Sequence, residues 1–197
     1  MRIFTEREAE NFLDEEGFDI VDRVYIKEIG GLDDALRKLG FPLVMKVSGE
    51  AIVHKNGVGG VVKNVKNKET ALKAFEKFKK IKGFQGVMVQ KQIEGKEFLL
   101  GIKKTPEFGH VIVFGAGGVD TEKLDDVSFR VCPGKDDVRK MIEEVSAAEG
   151  LSKDLLKILE KNILRLCKLV RKHPRITELD VNPLMNGVIV DARIVFD

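Results

Sequence analysis

Apolar and polar positions change period several times along this chain, and each change marks an element. Over 5–16 the apolar residues Ala9, Phe12 and Leu13 recur at helical spacing. Thr5 and Glu8 form a capping-box pair ahead of them, and Gly17 ends the run. Ile20, Val24 and Ile26 alternate toward a strand, and Leu32–Leu39 predicts a short helix closed by Gly40. Strands are predicted over 43–47 and 61–65, then a helix over 68–81 from the spacing of Leu72, Phe75 and Phe78. After a glycine-flanked break at 83–86, strand signals crowd together at 87–93, 98–102, 111–114 and 127–131. A long helix runs from a Ser152 cap to about Lys172, with Leu159, Ile163, Leu166 and Val170 on one stripe, and His173-Pro174 ends it. The mixture predicts an α+β protein with two lobes meeting near 86–93.

The last elements are the most specific. Asn186-Gly187 between apolar runs at 176–185 and 188–196 is a strong hairpin signal. A two-residue turn sets Met185 against Val188. Counting back, Asn182 then faces Asp191 and Asp180 faces Arg193. Period two places these four on one side of the sheet. Leu179, Val181, Val190, Ala192 and Ile194 fall on the other side, which is expected to be core. A carboxylate with a carboxamide can supply the protein's share of a Mg²⁺ shell. The competing reading is a solvated face with a plain Asp180–Arg193 ion pair. Pro183 warns of irregular pairing nearby.

Composition narrows the function classes. A formal charge of +2 over 197 residues gives no field that would drive the chain to nucleic acid or to membrane. No apolar run approaches membrane-spanning length and the N-terminus has no signal-peptide core, so a cytoplasmic protein is expected. Cys132 and Cys167 form neither a disulfide framework nor a metal spacing; both are expected to be buried thiols.

Residues 43–61 carry the chemistry. Lys46 lies inside an apolar strand, where its ammonium costs desolvation unless an anion meets it. His54 follows, with Lys55 beside it, at the mouth of a loop containing Gly57, Gly59 and Gly60. Glycine-rich turns free backbone N–H groups to cradle phosphate oxygens, and a histidine beside such a cradle can accept a phosphoryl group. Gly115-Ala116-Gly117-Gly118 is a second close-approach candidate, against a plain tight turn. Glu97 and Arg130 are candidate ligand contacts, against solvated-face readings. Neither a Rossmann fingerprint nor a Walker A pattern is present.

Several stretches together resemble the nucleotide-binding beta subunit of ADP-forming acetate–CoA ligase, also called ADP-forming acetyl-CoA (acyl-CoA) synthetase. They are Phe41-Pro-Leu-Val-Met-Lys-Val, Ile52-Val-His-Lys-Asn-Gly-Val-Gly-Gly-Val, Gly86-Val-Met-Val-Gln, Pro106-Glu-Phe-Gly, Phe114-Gly-Ala-Gly-Gly, Asp126-Val-Ser-Phe-Arg and Glu178-Leu-Asp-Val-Asn-Pro-Leu. Succinyl-CoA synthetase beta subunits are similar at a greater distance. The resemblance implies an ATP-grasp fold holding ATP or ADP between two lobes, with residues 18–88 and 89–197 as those lobes. A helix within 1–17 is expected to pack on the second.

The resemblance further implies that Lys46 contacts the nucleotide phosphates, that His54 is transiently phosphorylated, and that Asn182 and Asp191 hold Mg²⁺. Gly117 and Gly118 would line the phosphates. Val89, Gln90, Gln92 and Ile93 would form a hinge that meets adenine, with Glu97 near the nucleoside. Lys55, Gly59, Gly60, Arg130, Asp180 and Arg193 are supporting candidates. CoA and acyl groups would bind an alpha subunit in an alpha2beta2-type heteromer. The chain departs from the family pattern at Gly57, where an aspartate is common, and at Lys91, where an acidic residue is. Two rivals stay open: an ATP-grasp ligase using an acyl phosphate with no phosphohistidine, and a non-catalytic nucleotide-sensing subunit.

Overall fold

The computed structural model describes residues 1–49, 52, 55, 57–118 and 126–197. The chain divides into two compact units, residues 21–93 and residues 1–20 with 94–197.

The 21–93 unit is a four-stranded antiparallel sheet with two helices. Its strands are β2 (Arg23–Ile26), β3 (Leu43–Ser48), β4 (Val61–Val65) and β5 (Gly86–Lys91), in the order β2-β5-β3-β4. Helices α2 (Leu32–Leu39) and α3 (Lys68–Lys79) bury Leu32, Leu36, Ala71, Phe75 and Phe78 against Leu43, Met45, Val47, Val87 and Val89. Fully burying a side chain of the size of Phe75 or Phe78 contributes about 1.5–3 kcal/mol. Asn67 caps α3 by accepting the Thr70 N–H at 2.9 Å. The expected boundary at 88/89 falls inside β5. That strand is laddered to β3 along its whole length and to β2 over 87–90, and the division comes after Ile93 instead.

The other unit is a seven-stranded antiparallel sheet. It contains β1 (Arg2–Ile3), β6 (Glu97–Thr105), β7 (Gly109–Ala116), β8 (Val127–Arg130), β9 (Ile176–Met185), β10 (Val188–Ile189) and β11 (Ala192–Phe196). The path runs β1-β11-β9-β6-β7-β8, with β10 pairing only to β9. Helices α1 (Glu6–Glu15), α4 (Lys135–Glu143) and α5 (Lys153–Lys172) share one core with the sheet, through residues such as Leu13, Met141, Ile142, Leu159, Ile163 and Leu166. The capping box is formed as the sequence predicts: the Thr5 hydroxyl accepts the Glu8 N–H at 3.3 Å and the Glu8 carboxylate accepts the Thr5 N–H at 2.8 Å. At the far end of α1, Glu16 accepts from Lys172 and pairs with His173 at 2.8 Å each. Cys167 is buried in this core, whereas Cys132 packs against it half-exposed, which corrects the expectation of two buried thiols. Among the described strands and α-helices, β1 and α4 lie outside the sequence prediction. The latter offers only Val138, Met141 and Ile142 among charged residues, too short an apolar stripe to stand out.

Registers define the two faces of this sheet. Ala192, Val181, Leu100, Phe114 and Ser128 form one row across five strands, and all are buried on the helix side. The next row, Arg193, Asp180, Gly101, Val113 and Phe129, points the opposite way. Among the described residues no helix is long and apolar enough to cross a membrane.

Candidate functional site

The hairpin has the register counted from the sequence. Asn186 and Gly187 both take positive φ (52° and 83°), the combination a two-residue turn of the favoured hand requires. Val188 pairs with Met185, Ala192 with Val181 and Arg193 with Asp180. Asn182 donates its backbone N–H to the Asp191 carbonyl at 3.2 Å, so these two residues face each other. The ladder is interrupted there. Pro183 has no N–H to give, and its carbonyl accepts from Val190 at 3.1 Å.

A register shift on the other side of β9 sharpens this point. Phe98 pairs with Leu184 but Leu100 pairs with Val181, leaving Asn182 and Pro183 opposite Leu99 alone. Such a bulge re-aims the side chains around it. Here Val181 and Leu184 are both buried although three apart, and Asn182 and Pro183 between them are half-exposed. It also corrects one expectation: Val190 is half-exposed and outside the core.

Glu97, Gly117 and Gly118 converge on Asn182. The Gly117 N–H donates to the Glu97 carbonyl at 2.9 Å, and the Gly118 N–H donates to Asn182 Oδ1 at 3.0 Å. Gly118 has φ +100°, and a Cβ there would stand 2.6 Å from Glu97 Oε2. A Cβ on Gly117 would collide with the Phe98 backbone at 2.5 Å. Close backbone approach demands glycine at 117, and the positive φ demands it at 118.

Asp180 is half-buried on the same face. Loss of hydration raises its carboxyl above the usual range, and the nearby Asp191 and Glu178 carboxylates add to this while Arg193 opposes it. The Asp180–Arg193 ion pair of the competing solvated-face reading is not formed among the described residues. Arg193 bonds diagonally to Glu178 at 3.3 Å, and Glu178 also takes Lys103 at 2.6 Å, which holds its own carboxyl below the usual range. Asp180 has no ion-pair partner among the described residues. Arg130 is occupied elsewhere: it pairs with Glu144 at 2.5 Å, and Ser128 donates to the same carboxylate.

In the 21–93 unit, Lys46 is 5% exposed on β3, registered between Met88 of β5 and Val61 of β4. Its face of the sheet also carries Gln90, which is 1% exposed and lies beside Val44. The glycine loop closes onto this strand. Gly60 accepts the Val47 N–H at 2.7 Å and donates to the Lys55 carbonyl at 2.7 Å. A Cβ on Gly60 would sit 2.4 Å from Val47 Cγ1, and Gly59 takes φ +64°. His54 lies outside the described residues.

The expected adenine hinge is largely committed to structure. Val89 points into the core, and Val89 and Gln90 are registered to strands on both sides, which take up their backbone groups. Gln92 donates its N–H to the Pro42 carbonyl at 3.0 Å, and its side-chain oxygen accepts the Asn64 N–H at 2.7 Å. Ile93 lies beyond both ladders.

Asn182 and Asp191 offer two hard oxygen donors side by side, a set suited to Mg²⁺ that keeps several waters or phosphate oxygens. The Asn182 amide oxygen has a second lone pair beyond the one Gly118 uses. No group of three or more His, Cys, Asp or Glu side chains suited to a metal occurs among the described residues, so any ion here would depend on water and phosphate for most of its shell.

This pairing of a small sheet carrying a buried lysine with a larger antiparallel sheet carrying Glu97, Asn182 and Asp191 is that of an ATP-grasp domain. The chain belongs to the ATP-grasp family, whose domain matches residues 1–196. Among characterised proteins, it is 32% identical to the beta subunit of acetate–CoA ligase (ADP-forming) II of Pyrococcus furiosus, over 96% of this chain and 90% of that protein. It is 35% identical to acetate–CoA ligase (ADP-forming) II of Archaeoglobus fulgidus over 98% of this chain, which spans only 30% of that relative's length. Among solved structures, acetyl-coenzyme A synthetase 1 of Ca. Korarchaeum cryptofilum superposes with a TM-score of 0.84 at 28% identity, covering 99% of this chain and 93% of that one. That structure holds coenzyme A and Mg-AMPPCP, with its phosphohistidine segment pointing towards the nucleotide-binding site.

Proposed function

We propose that this chain is the nucleotide-binding beta component of an ADP-forming acyl-CoA synthetase. Acyl-CoA, ADP and phosphate would be converted reversibly to carboxylic acid, ATP and CoA. The observation that most supports this reading is the Gly118–Asn182–Asp191 arrangement beside Glu97. It gathers backbone N–H, carboxamide and carboxylate at one point of the sheet, as a triphosphate with its cation requires.

Each unit supplies its own share of the chemistry. Lys46 offers a buried ammonium to phosphate oxygens. Gly117 and Gly118 let phosphate approach the backbone, and Glu97 and Ile93 contact the nucleoside. Asn182 and Asp191 would hold Mg²⁺, which neutralises phosphate charge during transfer. His54 takes a phosphoryl group from a partner-subunit site that carries the CoA and acyl groups. Transfer onward breaks the N–P bond of the phosphohistidine and forms an O–P bond to the terminal phosphate of ADP, leaving neutral imidazole.

Labelling with ATP and Mg²⁺ tests this reading. The chain alone or with its alpha partner should acquire an acid-labile, base-stable phosphate on His54, and His54→Asn should acquire none. Turnover by the His54→Asn complex would exclude the relay and favour direct use of an acyl phosphate. Nucleotide binding with no labelling in either setting would favour a sensing subunit.

A further inference from the structure

A single turn of 3-10 helix, Ser146–Ala148, carries no charged residue of its own at either end. Val145 holds its N-cap position and has no side-chain oxygen to offer. Two charged side chains from elsewhere in the same unit meet the turn instead. The Asp126 carboxylate accepts the Ser146 N–H at 2.8 Å on one oxygen and the Ala147 N–H at 2.9 Å on the other. At the opposite end the Lys96 ammonium donates to the Ala147 carbonyl at 3.1 Å and to the Glu149 carbonyl at 2.8 Å. Carboxylate on the N–H end and ammonium on the carbonyl end match the direction of the peptide dipoles. Burial would raise the Asp126 carboxyl, but the Ala147 and Ser146 N–H bonds outweigh it and hold it below the usual range. Ala148, inside the turn, is buried in the core.

Both charged residues stand next to the phosphate end of the candidate site. Lys96 directly precedes Glu97, whose carbonyl accepts the Gly117 N–H at 2.9 Å. The Asp126 carbonyl accepts the Ala116 N–H at 2.9 Å, one residue before Gly117. The two chains are pressed together there, since a Cβ on Gly115 would stand 2.7 Å from that same oxygen. One turn therefore holds the start of β6 through Lys96 and the end of β7 through Asp126. Those are the two backbones that present Glu97 and the Gly117-Gly118 pair to Asn182.

We propose that Lys96 and Asp126 are positioning residues of the nucleotide site, two arms of a clamp on the 146–148 turn that sets Glu97 against Gly117 and Gly118. The inference rests on the reading of Glu97, Gly118 and Asn182 as a triphosphate and cation site, and it is independent of the His54 relay. Both charges are engaged by the turn, so their part is indirect. With one arm cut, the turn loses the cap at one end. The end of β7 is then free to shift against β6, and the Gly118 N–H no longer holds the Asn182 carboxamide in line. A binding constellation needs its groups held to within about 0.5 Å, so a small slip is felt as lost affinity.

The test is Mg-ADP binding by the full chain carrying Lys96→Met or Asp126→Asn. Asparagine keeps the size of the side chain and one acceptor, but sets its amide nitrogen against the second N–H. Each variant should lose Mg-ADP affinity about five- to tenfold, with a matching rise in the Mg²⁺ concentration for half-maximal binding. Lys96→Arg should recover most of the loss. The double variant should lose no more than the larger single loss, because both arms act through one turn. Amide hydrogen exchange read by mass spectrometry should quicken in peptides covering 115–118 and stay unchanged in the middle of α5. If Asp126→Asn fails to fold, Lys96→Met on the exposed arm decides alone. Variants that bind as the parent does would overturn the clamp and leave the nucleotide reading standing. Exchange that quickens throughout this unit would also overturn it, since the pair would then serve the fold alone. A parent chain that binds no Mg-ADP would sink the nucleotide reading and the clamp with it.

Discussion

The backbone N–H of Gly118 donates to Asn182 Oδ1 at 3.0 Å, joining two residues 64 positions apart. This bond fixes the orientation of the Asn182 carboxamide, and at Gly118 the positive φ disfavours any side chain while a Cβ would displace the Glu97 carboxylate. Gly118→Ala should therefore weaken Mg-ADP binding about tenfold, equivalent to ~1.4 kcal/mol. Part of that loss is the strain of alanine at φ +100°. Isothermal titration calorimetry checks it; unchanged affinity would show that the glycine is needed for the turn alone.

Asp191→Asn keeps the size of the side chain and removes the charge. The Mg²⁺ concentration giving half-maximal nucleotide binding should rise about tenfold or more, because the site has few protein donors to share the load. The Asn182 N–H bond to the Asp191 carbonyl is a backbone contact and should survive the change. A melting temperature within a few degrees of the parent would confirm that the fold is intact.

Lys46→Met replaces a buried ammonium by an apolar chain of similar length. Nucleotide affinity should drop about 10–100-fold, the cost of losing hydrogen bonds from a charged group. Stability without nucleotide should fall less than binding does, since an apolar side chain suits a position that is 5% exposed. Equal losses in binding and stability would mean that the lysine serves the fold.

Asp180 gives a pH-dependent prediction of definite sign. Burial raises its carboxyl above 3.8, with Asp191 and Glu178 reinforcing the shift. The folded state then binds a proton more readily than the unfolded state, and ionised Asp180 destabilises the fold at neutral pH. Asp180→Asn should raise the melting temperature above the raised pKa. The gain should fade as pH falls toward 3.8. A gain independent of pH, or a loss at neutral pH, would contradict the burial argument.

Asn186-Gly187 shows what one line of sequence can carry. A two-residue turn has one register, so the facing of Asn182 with Asp191 and of Asp180 with Arg193 follows by counting, and it is found. The Thr5–Glu8 capping box was equally legible, because both partners lie within one turn of helix. Lys46 was legible as a charge within an apolar strand.

Other features had no local signal. The bulge at Asn182 and Pro183 depends on how β6 lies against β9, and it moves Val190 out of the core. Arg193 had two carboxylates in reach across the sheet. It pairs with Glu178, which also meets Lys103 directly opposite on β6, and no strand by itself discloses that third partner. That β2 and β3 ladder both edges of β5 at Val89 and Gln90 was likewise not legible in the strand itself.

Sequence by itself determined the elements and the hairpin register, because periodicity, caps and tight turns act between residues close along the chain. Tertiary structure decided which groups meet: Gly118 with Asn182, and Arg193 with Glu178. Those choices depend on packing between strands and helices far apart in sequence, where burial and competing charges select one partner among several.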